Sequence, residues 1–117
     1  MQSERWKKLP IRQWAWLLLC MFFAIFAVRH GQQVGEGRRA FVRLGCQTCH
    51  LAGGAPSLQH VGRKYDRQTF EDWVTDPETV YTRLGRKPLN PGYPPMPRLA
   101  ASHRDIVAIS YFLASQR

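Results

Sequence analysis

The chain is short of acidic side chains, of cysteine and of strand-like alternation, and each shortage weakens a class of reading. Eight Asp and Glu stand against 17 Lys and Arg in 117 residues, a formal net charge of +9. No recognised nucleic-acid-binding motif accompanies this charge, so nucleic acid is a poor partner for it. Only three cysteines occur, and two of them, Cys46 and Cys49, form a C-x-x-C pair with no second Cys or His pair at ligand spacing. His30, His60 and His103 are scattered singly, which leaves a zinc site without half its ligands. No strand-like alternation surrounds the pair, so a thioredoxin-like redox dithiol lacks its βαβ setting. No internal repeat and no low-complexity run appears.

What is present begins with charge followed by its absence. Arg5, Lys7, Lys8 and Arg12 precede an uncharged stretch of sixteen residues, 13–28 (QWAWLLLCMFFAIFAV). Sixteen falls short of the roughly 20 apolar residues that cross a bilayer. Leu9 to Ile11 extend the apolar part, and Arg12 and Arg29 can snorkel to the two interfaces. Trp14 and Trp16 stand where an aromatic belt is expected. A cleaved signal peptide has an apolar region of similar length, but no clear A-x-A site follows, and Ile25-Phe26-Ala27 is a poor substitute. Residues 1–30 therefore read as an uncleaved signal-anchor or transmembrane helix. Cys20 follows the bulky Leu19, which disfavours a lipoprotein site and leaves an apolar cysteine facing lipid or a neighbouring helix. Four basic residues before the segment and only Arg29 close behind it place the N-terminus in the cytoplasm and the rest outside it.

Residues 31–36, in the polar run HGQQVGE that starts at His30, read as a linker. The remaining 37–117 form one domain of roughly 80 residues, at the small end for a self-supporting core. Its pattern is helical. Residues 36–44 (EGRRAFVRL) place Phe41 and Leu44 on one face and end at Gly45 as a C-cap. Thr69-Phe70-Glu71-Asp72 resembles a capping box opening a helix with Phe70, Trp73 and Val74, stopped around Pro77. Ser102-His103-Arg104-Asp105 is another such start, and Ile106, Ile109 and Leu113 follow as one stripe that Val107 and Phe112 widen. Residues 80–90 (VYTRLGRKPLN) have no helix stripe; with Arg83, Arg86 and Lys87 they read as a basic surface loop.

Directly after the first of these helices comes Cys46-Gln47-Thr48-Cys49-His50. C-x-x-C-H is the pattern of covalent c-type haem attachment. Two thiols one helical turn apart can each add to a haem vinyl group, and the adjacent imidazole can then reach the iron as proximal ligand. Thioether formation consumes both thiols, which would otherwise risk a disulfide in an oxidising compartment. A buried haem also supplies apolar volume that so small a domain lacks.

From roughly residue 36 to the C-terminus the chain resembles a class I c-type cytochrome. The resemblance implies three to four helices around one covalently bound haem, so that with the N-terminal transmembrane helix the expected fold is all-α. In that family an N-terminal helix carrying a Gly and an aromatic, here Gly37 and Phe41, crosses a C-terminal helix, here residues 103–115. It also implies that the carbonyl of Pro56, in Ala55-Pro56-Ser57-Leu58, accepts from the proximal His50 and fixes its tautomer. Residues 56–65 (PSLQHVGRKY) resemble the segment that wraps the haem edge in small bacterial members. Met96 is the only methionine beyond the anchor. The family places a methionine in such a loop as the sixth ligand, and the prolines of Tyr93-Pro94-Pro95-Met96-Pro97 restrict the backbone that would present it. Gap filling or a Pro-rich recognition segment are the other uses of this stretch. His60 and His103 are the substitute ligands. Tyr65, Trp73 and Tyr93, with Arg63 and Lys64, are candidates for the haem environment.

These features imply an electron carrier, not an enzyme, with no catalytic residue, one haem c, and iron held by His50 and Met96. The resemblance puts the haem domain on the periplasmic side of a bacterial cytoplasmic membrane. From Gly31 onward twelve basic side chains stand against seven acidic, about +5, which suits a redox partner with an acidic docking face, anionic lipid or plain solubility. The expected setting is a fixed subunit of a respiratory membrane complex. A linker of seven flexible residues would reach only roughly 15 Å, which disfavours the alternative of a tethered shuttle. Haem catalysis or gas binding, and a purely structural haem subunit, are the readings of other classes.

Overall fold

The structure, a computed structural model, describes residues 10–51, 53–85 and 94–117, and all regular secondary structure among them is helical. The chain divides into two compact units, Met1–Gln32 and Gln33–Arg117.

Among the described residues, the first unit holds the leading part of α1 (Ile11–Arg43). Its large apolar side chains, among them Trp14, Trp16, Leu17, Phe22, Phe23 and Phe26, are exposed on every side. A helix that is apolar all round has no single inner face to bury against a soluble core. At 33 residues α1 is long and apolar enough to cross a membrane.

Residues 31–36, expected as a linker, are helical and lie within α1. Gln32, Gln33 and Glu36 are good helix formers, and Gly31 and Gly35 each cost only about 1 kcal/mol, which an already nucleated helix absorbs. The short helix expected over 36–44 is thus the last part of α1, and Gly45 closes it at φ 75°, in the left-handed region that glycine enters without strain.

The second unit continues with α2 (Cys46–His50), a 3-10 turn at Val61–Arg63, α3 (Arg67–Thr75), α4 (Pro77–Arg83) and α5 (His103–Ala114). α5 starts at Ser102 as expected, where the serine Oγ accepts from the Asp105 N–H at 3.2 Å. α3 starts earlier than Thr69: its cap is Asp66, whose Oδ1 accepts from the Thr69 N–H at 2.8 Å, so Thr69 is the third residue of the helix. α4 occupies the beginning of the expected loop over 80–90. Pro77 opens it, where a missing N–H costs nothing, and Pro77 and Val80 are its buried positions. Residues 86–90 lie outside the described residues.

The core joins Ala40 and Phe41 of α1, Phe70 and Val74 of α3, and Ile109 and Leu113 of α5. Each buried Phe, Ile or Leu contributes about 1.5–3 kcal/mol. Two glycines let backbones meet. A Cβ on Gly37 would stand 2.0 Å from the Ala108 carbonyl oxygen of α5, and one on Gly62 would stand 2.4 Å from that of Ala114. Beside the first contact Phe41 packs on Phe112 with ring centroids 5.4 Å apart. Beside the second, the Gly62 N–H donates to the Gln116 carbonyl at 2.9 Å.

Candidate functional site

Because Gly45 reverses the backbone immediately after α1, Cys46, Cys49 and His50 follow on one short helix held against the core. Cys46 is half-buried and packs on the core, while Cys49, three positions on, is exposed. The two thiols share one side of α2 at adjacent turns. Burial pushes the Cys46 thiol above its usual range; a backbone hydrogen bond opposes this, and the neighbouring Cys49 adds to it. A reactive redox dithiol shows the opposite displacement, a lowered thiol pKa.

After α2 the chain turns through Gly53, at φ 83°, and comes back beneath the imidazole. Nδ1 of His50 lies 2.8 Å from the Pro56 carbonyl oxygen. A carbonyl can only accept, so Nδ1 carries a proton, and in the neutral ring the lone pair is on Nε2. Nε2 is then the nitrogen that can bind a metal, with ring and tautomer already set. The N–H of Gln59 donates to Ser57 Oγ at 3.2 Å and shapes the chain just beyond Pro56.

This donor set is of the kind that could hold a haem covalently: two thiols three positions apart on one short helix, followed by an imidazole whose Nδ1 is hydrogen-bonded to the Pro56 carbonyl. It fits structural zinc poorly. Zinc takes four N or S ligands, and among the described residues no group of three or more His, Cys, Asp or Glu is gathered to hold a metal.

The other expected residues are distributed as follows. Tyr65 is half-buried at the edge of the core and meets Phe70 edge to face at 6.2 Å. Trp73 lies on α3, and its ring partner is Tyr81 of α4, at 4.8 Å and 90°. Met96 is half-buried in the irregular stretch before α5. Tyr93 lies outside the described residues. His60 is exposed at the start of the 3-10 turn, in a left-handed conformation with φ 59°. His103 is exposed in the first turn of α5, and Arg63 and Lys64 are exposed as well. Among the described residues, His50 and Pro56 are the two expected site residues that a side-chain hydrogen bond joins.

Two polar groupings were not visible in the sequence. Arg67 donates to Ser110 Oγ at 3.2 Å and pairs with Glu71 at 3.0 Å, and its guanidinium lies 3.5 Å from the centre of the Tyr111 ring. Ser110 is fully buried, so this network pins α3 to α5 and satisfies the hydroxyl there. The i,i+4 spacing of Arg67 and Glu71 was a usable signal for half of it. The second grouping is the pair of Arg98 with Asp76, 3.0 Å apart, which no local pattern announces.

No family model matches the chain, and neither a curated protein nor a solved structure matches it.

Proposed function

We propose that this chain is a membrane-anchored monohaem c-type cytochrome, an electron carrier whose haem is joined to Cys46 and Cys49. The observation that carries the reading is the 2.8 Å approach of His50 Nδ1 to the Pro56 carbonyl, directly beside a C-x-x-C pair on the same helix. Bound there, the haem iron supplies a reversible one-electron couple. Cys46 and Cys49 hold the group, His50 presents Nε2, and Pro56 keeps that imidazole in one tautomer and orientation. Met96 offers its thioether from a proline-restricted segment, and His/Met ligation raises the reduction potential. Were His50 and Met96 both to ligate the iron, no position would be left open for a substrate, and the chain would be a carrier and not an enzyme. Tyr65, Trp73 and Tyr93 belong to the proposed surroundings.

The setting is a bacterial cytoplasmic membrane, with the N-terminus cytoplasmic and the haem domain periplasmic. The excess of Lys and Arg ahead of the apolar run supports this orientation. The partner is an integral subunit of a respiratory complex, or a redox protein, with an acidic docking face. Glu36, Glu71, Asp72, Asp76 and Asp105 each face an arginine. The positive surplus therefore falls to exposed side chains such as Arg38, Arg39, Arg63 and Lys64, where it can steer association. The fixed subunit is the first reading and the tethered shuttle the second.

The test is purification of the tagged protein from membranes in mild detergent, with a denaturing gel stained for haem and the mass of the intact chain. One covalent haem is expected, lost wholly in Cys46→Ala/Cys49→Ala and retained with altered ligation in His50→Ala. A native chain that carries no haem when made alongside the haem-attachment machinery would overturn the reading. Stoichiometric co-purification of a large membrane enzyme would identify the fixed subunit.

A further inference from the structure

Met96 has no regular secondary structure to hold it, since residues 94–102 form neither helix nor strand. What holds them is a small set of side-chain contacts. Leu99 and Ala101 pack on the core. Arg98, two residues after Met96, reaches Asp76, with its Nη2 3.0 Å from Oδ1.

Asp76 is well placed to be the fixed end of that pair. It is the single residue between α3 and α4, the C-cap of one and the N-cap of the other. Its N–H donates to the Asp72 carbonyl at 2.8 Å, and its Oδ2 accepts from the Thr79 hydroxyl at 2.7 Å. Asp72 in turn pairs with Arg83 from the end of α4 at 2.7 Å. One carboxylate oxygen is thus committed within the α3–α4 corner; the other is buried at the atomic level, has no hydrogen bond, and meets Arg98 as an ion pair alone, so charge and not a directed hydrogen bond makes this contact.

Pro94, Pro95 and Pro97 fix φ at three of the four positions from 94 to 97. In so stiff a stretch a restraint at residue 98 is transmitted to residue 96 instead of being lost in backbone rotation. Two residues span at most about 7 Å, so the anchor also sets where the thioether can be.

We propose that Asp76 is a positioning residue for Met96, holding the proline-rich segment through Arg98 so that the thioether sulfur is presented to the iron. The inference rests on the reading of His50 and Met96 as axial ligands. The Arg98 side chain is 70% exposed and that of Asp76 33%. A pair so open to solvent adds little to global stability, so the effect falls on the loop and not on the fold.

The experiment uses the full-length ferric holoprotein in detergent and imidazole as a competing sixth ligand, with the iron–thioether charge-transfer absorption recorded on the same samples. Asp76→Asn keeps an acceptor for Thr79 but removes the charge; Arg98→Gln removes the other end. Each is expected to raise imidazole affinity about two- to fivefold, the range that an exposed pair allows, with the double variant no further displaced than the singles. Their melting temperatures stay within a few degrees of the parent's, as for an exposed pair. Arg104→Gln, which opens the similarly exposed Arg104–Glu36 pair at 3.3 Å, changes nothing. Parent-like imidazole affinity in both Asp76→Asn and Arg98→Gln, with the charge-transfer absorption present in the parent, overturns the positioning role and leaves the ligand assignment standing. Absence of that absorption in the parent, with Met96→Ala behaving like the parent, removes the ligand assignment and the proposal with it.

Discussion

Gly37 has no room for a side chain. A Cβ there would lie 2.0 Å from the Ala108 carbonyl oxygen and 2.7 Å from the Phe112 Cβ, and the first of these is backbone that cannot swing aside. Gly37→Ala must therefore push the end of α1 away from α5 and loosen Phe41 from Phe112. A loss of about 1–3 kcal/mol is expected, as for other overpacked contacts, read as a lower melting temperature by circular dichroism. Gly35→Ala is the matched control: its Cβ would find only the Arg39 side chain, at 3.8 Å. There the better helix propensity of alanine raises stability by up to about 1 kcal/mol. Equal melting of the two variants would refute the close crossing. The proposed site residues stand out at this scale because their signals are local: the C-x-x-C-H spacing, Gly45 behind a helix, and a proline soon after the histidine. Arg98 and Asp76 were not legible, since an ion pair between distant positions exists only once α3, α4 and the loop before α5 are in place.

Among the elements, starts were read better than extents. Ser102 marked α5 because a serine followed three residues later by an acid satisfies the first free N–H groups of a helix. The same rule applied at Thr69 gave α3 the wrong first residue, because Asp66 makes the same offer three positions earlier and wins the Thr69 N–H. α4 was missed because two buried positions, Pro77 and Val80, make no stripe. Three carboxyl groups at these helix starts are held below the usual range. Asp66 is lowered chiefly by hydrogen bonds from Thr69, Asp76 by the Thr79 hydroxyl and then Arg98, and Asp105 by the Ser102 hydroxyl and then Arg43. A folded pKa below the unfolded value, near 3.9 for Asp, means that the folded state binds protons less readily than the unfolded one. The stabilisation is therefore complete above about pH 4–5 and is lost as the pH falls through the unfolded pKa toward the folded ones. Thermal melts should be flat in this respect from pH 7 to about 5 and fall below pH 4. The fall should be shallower in Asp66→Asn and Asp105→Asn, which keep an acceptor at the helix start but do not titrate. An undiminished slope in both would mean that other groups govern acid unfolding.

In the molecule as a whole, two sets of apolar side chains answer to different surroundings. Those of residues 11–28 are exposed and surround α1 on every side; those from Ala40 to Leu113 converge on one core. Every member of that core lies in Gln33–Arg117, as do all five ion pairs of the described residues. Hence the core of the second unit is built from that unit's own residues. Removing residues 1–32 leaves the last eleven residues of α1, Gln33 to Arg43, still bearing Gly37, Ala40 and Phe41 for the crossing with α5. An isolated helix of that length is marginal in water, but one docked by its apolar face is not left to its own propensity. With a cleavable export leader in place of residues 1–32, the shortened chain is expected in the soluble periplasmic fraction, with one covalent haem and a cooperative melt within a few degrees of the full-length protein in detergent. Some fraying at Gln33 and Val34 is expected, since the new helix start has no cap. A truncated chain that stays in the membrane fraction would show that the second unit carries a membrane contact of its own. One that aggregates without haem would show that the core described here is not self-sufficient.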